Sequence, residues 1–115
     1  MVNNFIPSRG DFIWLDFNPQ RGKEQAKKRP ALVISPEVYN AKSSLALVCP
    51  ITSKYRGWVF EIPLPRKLEI SGSILVDQVK SLDFKERNGS FIEKCPKDTL
   101  NSVIKKLQLL IGESA

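Results

Sequence analysis

The sequence predicts a mainly β domain, a small and strongly bent antiparallel sheet or barrel covered by one C-terminal helix. Three observations carry this. Five or six short apolar segments are divided by Pro, Gly and polar stretches; strands and helices do not alternate as βαβ units require; and only the C-terminal region shows a helical apolar period. At 115 residues there is room for one core, so residues 1–115 are read as a single domain, without repeats or linkers.

Gly10 to Phe17 is dense in aromatic and β-branched types and reads as the first strand. The polar loop Asn18 to Arg29 has Pro and Gly punctuation and no apolar period. Pro30 to Pro36 is an apolar run bounded by prolines, read as a buried strand whose ends are set by residues lacking a donor. Ser44 to Thr52 is the third strand, with Leu45, Leu47, Cys49 and Ile51 on one face and Ala46, Val48 and Thr52 on the other. A turn at Arg56-Gly57 leads to Trp58 to Pro63. Gly72 to Leu82 is the longest strand candidate, with Asp77, Gln78 and Lys80 embedded in it, and Ser90 to Glu93 is one more short strand. The helix starts near Pro96, runs through Leu100, Val103, Ile104, Leu107 and Ile111 on one stripe, and stops at Gly112.

Apolar residues are 42% and charged residues 26% of the chain, the balance of a soluble globular protein, so neither disorder nor a membrane protein is expected. The start lacks a basic n-region and an unbroken apolar stretch, which makes the cytoplasm the default compartment. Cys49 and Cys95 form neither a disulfide framework nor a C-x-x-C pair, and both are read as reduced and structural. Lys and Arg total 18 against 12 acidic residues, a net charge of +6. Composition alone leaves a nucleic-acid partner and a mere solubility device equally open.

The chain contains no histidine, which removes histidine acid/base pairs and Ser-His-Asp or Cys-His arrangements. No carboxylate set is spaced like a metal site, leaving only Mg²⁺ held by carboxylates distant in sequence, and no phosphate-cradling Gly motif points to a nucleotide cofactor. No cofactor is therefore expected. An enzyme built from this sequence must work with Arg, Lys, Glu, Asp, Thr and Ser. RNA cleavage suits that set, because the substrate's own 2′-hydroxyl is the nucleophile and the protein's task is largely electrostatic. An arginine fork matches phosphate oxygens and a threonine hydroxyl adds a donor.

Five segments, in order, carry a resemblance: Gly10 to Pro19; Gly22-Lys23-Glu24-Gln25 with Arg29 to Pro36; Tyr39-Asn40; Pro50-Ile51-Thr52-Ser53; and Asp77-Gln78-Val79-Lys80-Ser81. Together they resemble the MazF/PemK family of toxin endoribonucleases, type II toxin-antitoxin proteins also called mRNA interferases. The resemblance implies an SH3-like small barrel of the CcdB/PemK/MazF type that forms a homodimer. It implies cutting of single-stranded RNA at short preferred sequences without metal, leaving a 2′,3′-cyclic phosphate and a 5′-hydroxyl, and an acidic MazE-like antitoxin as partner.

By the same resemblance Arg29 and Thr52 are the expected catalytic residues, with Glu24 third, as acceptor of the 2′-hydroxyl proton. Read alone, Arg29 is a loop arginine on the surface, Thr52 an ordinary strand residue and Glu24 a solvated loop carboxylate. Asp77, Gln78 and Lys80 are expected along the RNA groove, Lys80 on phosphate and Gln78 on base edges, unless they merely pair across a solvated face. Some relatives give the aspartate at the Asp77 position a base role beside an arginine two residues earlier. Here that earlier residue is Leu75, so Asp77 is read as a binding residue. Phe17, Asn40, Ser53 and Lys54 are further groove candidates, Phe17 as a stacking ring. Lys28 stands where some relatives have histidine and is also placed along the RNA. The alternatives are a CcdB-like gyrase poison of the same fold and a non-catalytic RNA-binding module. The first is disfavoured by the ending Ile111-Gly112-Glu113-Ser114-Ala115, which lacks the tryptophan that CcdB-type poisons use.

Overall fold

The computed structural model describes residues 4–17 and 28–112. Seven antiparallel strands, two α-helices and one 3-10 turn follow in the order β1 (Asp11–Asp16), β2 (Lys28–Val33), α1 (Glu37–Ser43), β3 (Ala46–Thr52), β4 (Glu61–Pro63), β5 (Ser73–Leu75), the 3-10 turn (Val76–Gln78), β6 (Lys80–Leu82), β7 (Ser90–Lys94) and α2 (Lys97–Ile111). The sheet runs β4-β5-β3-β2-β1-β7, with β6 also on β3. Mainly β with a C-terminal helix is therefore what the chain forms.

The central strands read as near-continuous apolar runs because both of their faces are covered. Along β1, Phe12 enters one core cluster while Ile13 and Leu15 enter the other. Leu32 and Ala31 divide in the same way on β2, as do Cys49 and Val48 on β3. Register fixes this alternation, since Phe12 stands opposite Leu32 and Leu32 opposite Cys49, and a slip by one residue would exchange the faces. Helix α2 closes the first cluster through Val103, Leu100 and Leu107, and Phe84 is buried in the second. Burying side chains of this size stabilises the fold by about 1.5–3 kcal/mol each.

Four sequence expectations are corrected. The long strand predicted from Gly72 to Leu82 is two strands, β5 and β6, lying successively along one edge of β3 and separated by the 3-10 turn. There pairing with β3 lapses, while the Val76 N–H donates to the Phe60 carbonyl at 3.0 Å and continues the β4–β5 register. Pro30 does not end its strand: it lies inside β2 opposite Trp14, and β3 pairing begins only at Ala31, so its missing N–H is accommodated. The strand expected at Trp58 starts at Glu61. Helix α1 was not anticipated; its short sequence EVYNAKS has no apolar stripe, and it is fixed instead by one buried amide, Asn40.

A candidate nucleic-acid groove

The predicted RNA-contacting residues come together where several strand ends meet. Arg29 lies on β2 opposite Leu15, and Phe17 directly follows β1. Thr52 is the last residue of β3 and pairs with Ser73. This end is set by Gly72, at φ +124°, where a Cβ would stand 2.0 Å from the Thr52 carbonyl oxygen. Only glycine permits so close an approach of the two backbones.

Phe17, Arg29, Thr52, Gln78 and Lys80 line a cavity of about 310 Å³ together with Pro50, Ile51, Arg56 and Leu75. A second cavity, of about 510 Å³, is lined by Lys54, Gly57, Trp58, Glu61 and Asp77 along with Thr52, Arg56, Leu75 and Gln78. The four shared residues make the two cavities one continuous groove. Arg29, Lys54, Arg56 and Lys80 thus face it with full positive charge, and among the described residues none of them is held in an ion pair. Lys80 Nζ stands 5.6 Å from the centre of the Phe17 ring, close enough for a cation–π contact that holds both at the groove wall.

The Thr52 Oγ1 accepts the Lys54 N–H at 3.2 Å, so its own proton remains available to a ligand. Asp77 Oδ2 accepts the Trp58 indole N–H at 3.0 Å. Beneath them Glu61, 5% exposed, accepts the backbone N–H of Arg56 at 3.2 Å on Oε2 and that of Trp58 at 3.4 Å on Oε1. This carboxylate shapes the segment that carries Lys54, Arg56 and Trp58. Cys49 lies buried on the inner side of β3, its thiol pushed up to about 12 by burial and then by the Asp77 charge, which makes it a poor nucleophile. Among the described residues no group of three or more His, Cys, Asp or Glu is placed to hold a metal ion.

Ser53 and Lys28 are exposed next to groove residues without lining either cavity. Glu24 lies outside the described residues. Asn40 does not join the groove: it is fully buried, donates to the Pro7 and Ser35 carbonyls at 2.8 and 3.1 Å and accepts the Ser35 hydroxyl. Every strong site on its amide is therefore occupied by protein, which corrects its reading as an RNA contact. Sequence reasoning missed Arg56, Trp58 and Glu61. The available signal was the interleaving of basic and aromatic types in Lys54-Tyr55-Arg56-Gly57-Trp58, a pattern suited to backbone tracking and base stacking.

The family model of PemK-like, MazF-like toxins of type II toxin-antitoxin systems matches residues 8–111. The chain belongs to this family. The endoribonuclease toxin MazF of Escherichia coli strain K12 is 39% identical over 112 residues, spanning 97% of this chain and 100% of that protein. The endoribonuclease toxin ChpB of the same strain is 32% identical over 118 residues, spanning 96% and 99%. The crystal structure of a MazE-MazF complex from Deinococcus radiodurans superposes with a TM-score of 0.90 at 42% identity, covering 96% of this chain and 100% of that one. The fold expected of the PemK/MazF family is thus the fold this chain adopts.

Proposed function

We propose that this toxin is a sequence-specific endoribonuclease that cuts single-stranded RNA, including mRNA, without a metal ion and so arrests translation and growth. The carrying observation is the convergence of Arg29 and Thr52 on one cavity within a groove whose cations have no ion-pair partner among the described residues. The names of the relatives, endoribonuclease toxins in E. coli, support the same reading.

In the proposed reaction the ribose 2′-oxygen attacks its own phosphorus and the bond to the 5′-oxygen breaks. The products are a 2′,3′-cyclic phosphate and a 5′-hydroxyl. Arg29 is permanently protonated and acts on the phosphoryl oxygens, or as donor to the departing 5′-oxygen; it is not the base. Thr52 donates a second hydrogen bond to the phosphoryl group. Glu24 remains the proposed acceptor of the 2′-hydroxyl proton. Asp77 is tied to Trp58 and has Leu75 in place of an arginine partner, which favours binding over base catalysis for it. Phe17, Lys54, Gln78 and Lys80, with Ser53 and Lys28 beside them, hold the strand.

The partners follow from surface chemistry. A basic groove on a chain of net charge +6 suits an acidic MazE-like antitoxin, and the D. radiodurans relative was crystallised with its MazE. A homodimer is proposed through a second face, where Tyr39, Leu47 and Ile111 are exposed along an apolar cavity of about 610 Å³. No helix among the described residues is long and apolar enough to cross a membrane, and a cytoplasmic location is proposed, where mRNA is found.

The test is incubation of purified protein with a long RNA in EDTA, followed by mapping of 5′ ends. Discrete cuts bearing 5′-hydroxyls are expected, and Arg29→Ala lowers their rate by at least about 10²-fold while circular dichroism stays unchanged. Intact RNA together with a stalled gyrase would overturn the reading in favour of a CcdB-like poison; intact but tightly bound RNA would favour a binding module.

A further inference from the structure

The larger half of the groove is a built pocket that shares Thr52 with the proposed cleavage site and otherwise lies outside that chemistry. We infer that it is a nucleobase subsite in which Trp58 stacks on the base and Asp77 selects one carrying an exocyclic amino group. The inference rests on the nuclease reading and names the specificity determinants of that same groove.

Trp58 is 51% exposed and forms part of the wall of this pocket. A half-exposed indole is costly to leave in water unless something covers it, and splayed-out RNA bases cover such rings. Its position is fixed from two sides. The Trp58 N–H is held by the buried Glu61, while its ring stands 5.8 Å from Phe60 and tilted by 57°. The indole N–H then fixes Asp77 through Oδ2, leaving Oδ1 with no protein partner among the described residues. That oxygen is an acceptor only, so it rewards a base edge that presents a donor, such as the amino groups of adenine N6 or cytosine N4, and repels the O4 of uracil. Lys54 and Arg56, lining the same pocket, neutralise the phosphates on either side.

The experiment is cleavage of a long random-sequence RNA with sequencing of the new ends, comparing wild type, Asp77→Asn and Trp58→Phe. Wild type is expected to favour adenine or cytosine over uracil at one fixed position of the cut site. Asp77→Asn keeps an oxygen for the indole and turns a donor toward the base, so preference there shifts toward uracil by about tenfold. Trp58→Phe keeps the stack but frees Asp77, so selectivity at that position falls. Trp58→Ala raises KM about tenfold through lost stacking. If both conservative variants are folded by circular dichroism and keep the wild-type base profile, the subsite is wrong. Wild type that cuts nothing would instead sink the nuclease reading, so the two failures are distinct.

Discussion

The Arg87 guanidinium donates through Nη1 to the Phe17 carbonyl at 2.7 Å and also reaches that of Asp16 at 3.0 Å. These carbonyls belong to the last residue of β1 and to the residue directly after it, whose side chain lines the groove. Arg87 therefore sets where Phe17 stands, and through the Phe17 ring it sets Lys80.

Arg87→Ala is accordingly expected to act on both stability and catalysis. Losing charge-assisted bonds in a half-buried position costs about 2 kcal/mol, read from the urea midpoint. Misplacing Phe17 and Lys80 by a fraction of an ångström lowers kcat/KM about tenfold, measured on folded protein at 25 °C. A stable variant with wild-type kcat/KM would show that Phe17 needs no such anchor.

Thr52 offers a hydroxyl proton that no atom of the described residues takes. Thr52→Ala should lower kcat about 10²-fold, the cost of one missing donor to a developing oxyanion, whereas Thr52→Ser should retain most of the rate. Single-turnover kinetics with saturating enzyme separate this from weaker binding. Equal losses in both variants would mean that the methyl group, and hence packing, is what matters.

Four cations that, among the described residues, have no ion-pair partner make the groove sensitive to salt. For single strands log K falls with log[salt] at about −0.7 per phosphate neutralised, so the four predict a slope of about −3 for binding of an uncleavable 2′-deoxy RNA analogue by the protein. Lys54→Ala should flatten the slope by about 0.7, as measured by fluorescence anisotropy between 50 and 200 mM salt.

How much of this was legible in the sequence differs by element. Strands β1 to β3 were, because burial on both faces keeps their central residues apolar, and helix α2 was, because its stripe meets only one core cluster. The break at Val76–Gln78 was not: the apolar pattern runs on through it, although pairing with β3 lapses there and resumes in a shifted register. Arg29 and Thr52 were proposed through family resemblance alone, since locally they look like any surface arginine and any strand threonine; the fold brings both to one cavity. Arg56 and Trp58 escaped because a buried carboxylate, Glu61, bends their segment out of the strand that its aromatic content predicts. Such a contact leaves no period to read.

Asn40 illustrates the opposite error, a polar residue chosen for RNA that belongs to the core. It ties α1 to Pro7 and Ser35, and Ser35 Oγ in turn accepts the Leu47 N–H at 2.9 Å. Asn40→Ala leaves two carbonyls and a hydroxyl short of partners, which costs about 2–3 kcal/mol and lowers Tm by roughly 8–12 °C. Cleavage per folded molecule at 25 °C should stay within twofold of wild type. A large loss of kcat/KM with Tm unchanged would restore Asn40 to the RNA groove.

The two cysteines give the pH dependence. Burial raises both thiols to about 12, assisted by Asp77 at Cys49 and by Asp98 at Cys95, whereas an unfolded thiol titrates near 8.5. Below that pH both states carry the proton and nothing is lost. Above it the unfolded chain releases protons that the fold retains, so stability falls as pH rises from about 8.5 toward 12, by up to roughly 1.4 kcal/mol per pH unit for each thiol. Urea midpoints compared at pH 8 and pH 10 should thus drop less in Cys95→Ala than in wild type, every other ionisable group being common to both. The comparison cancels those groups, and parallel midpoints would mean that Cys95 ionises inside the fold as readily as in the open chain, which its burial against α2 does not allow.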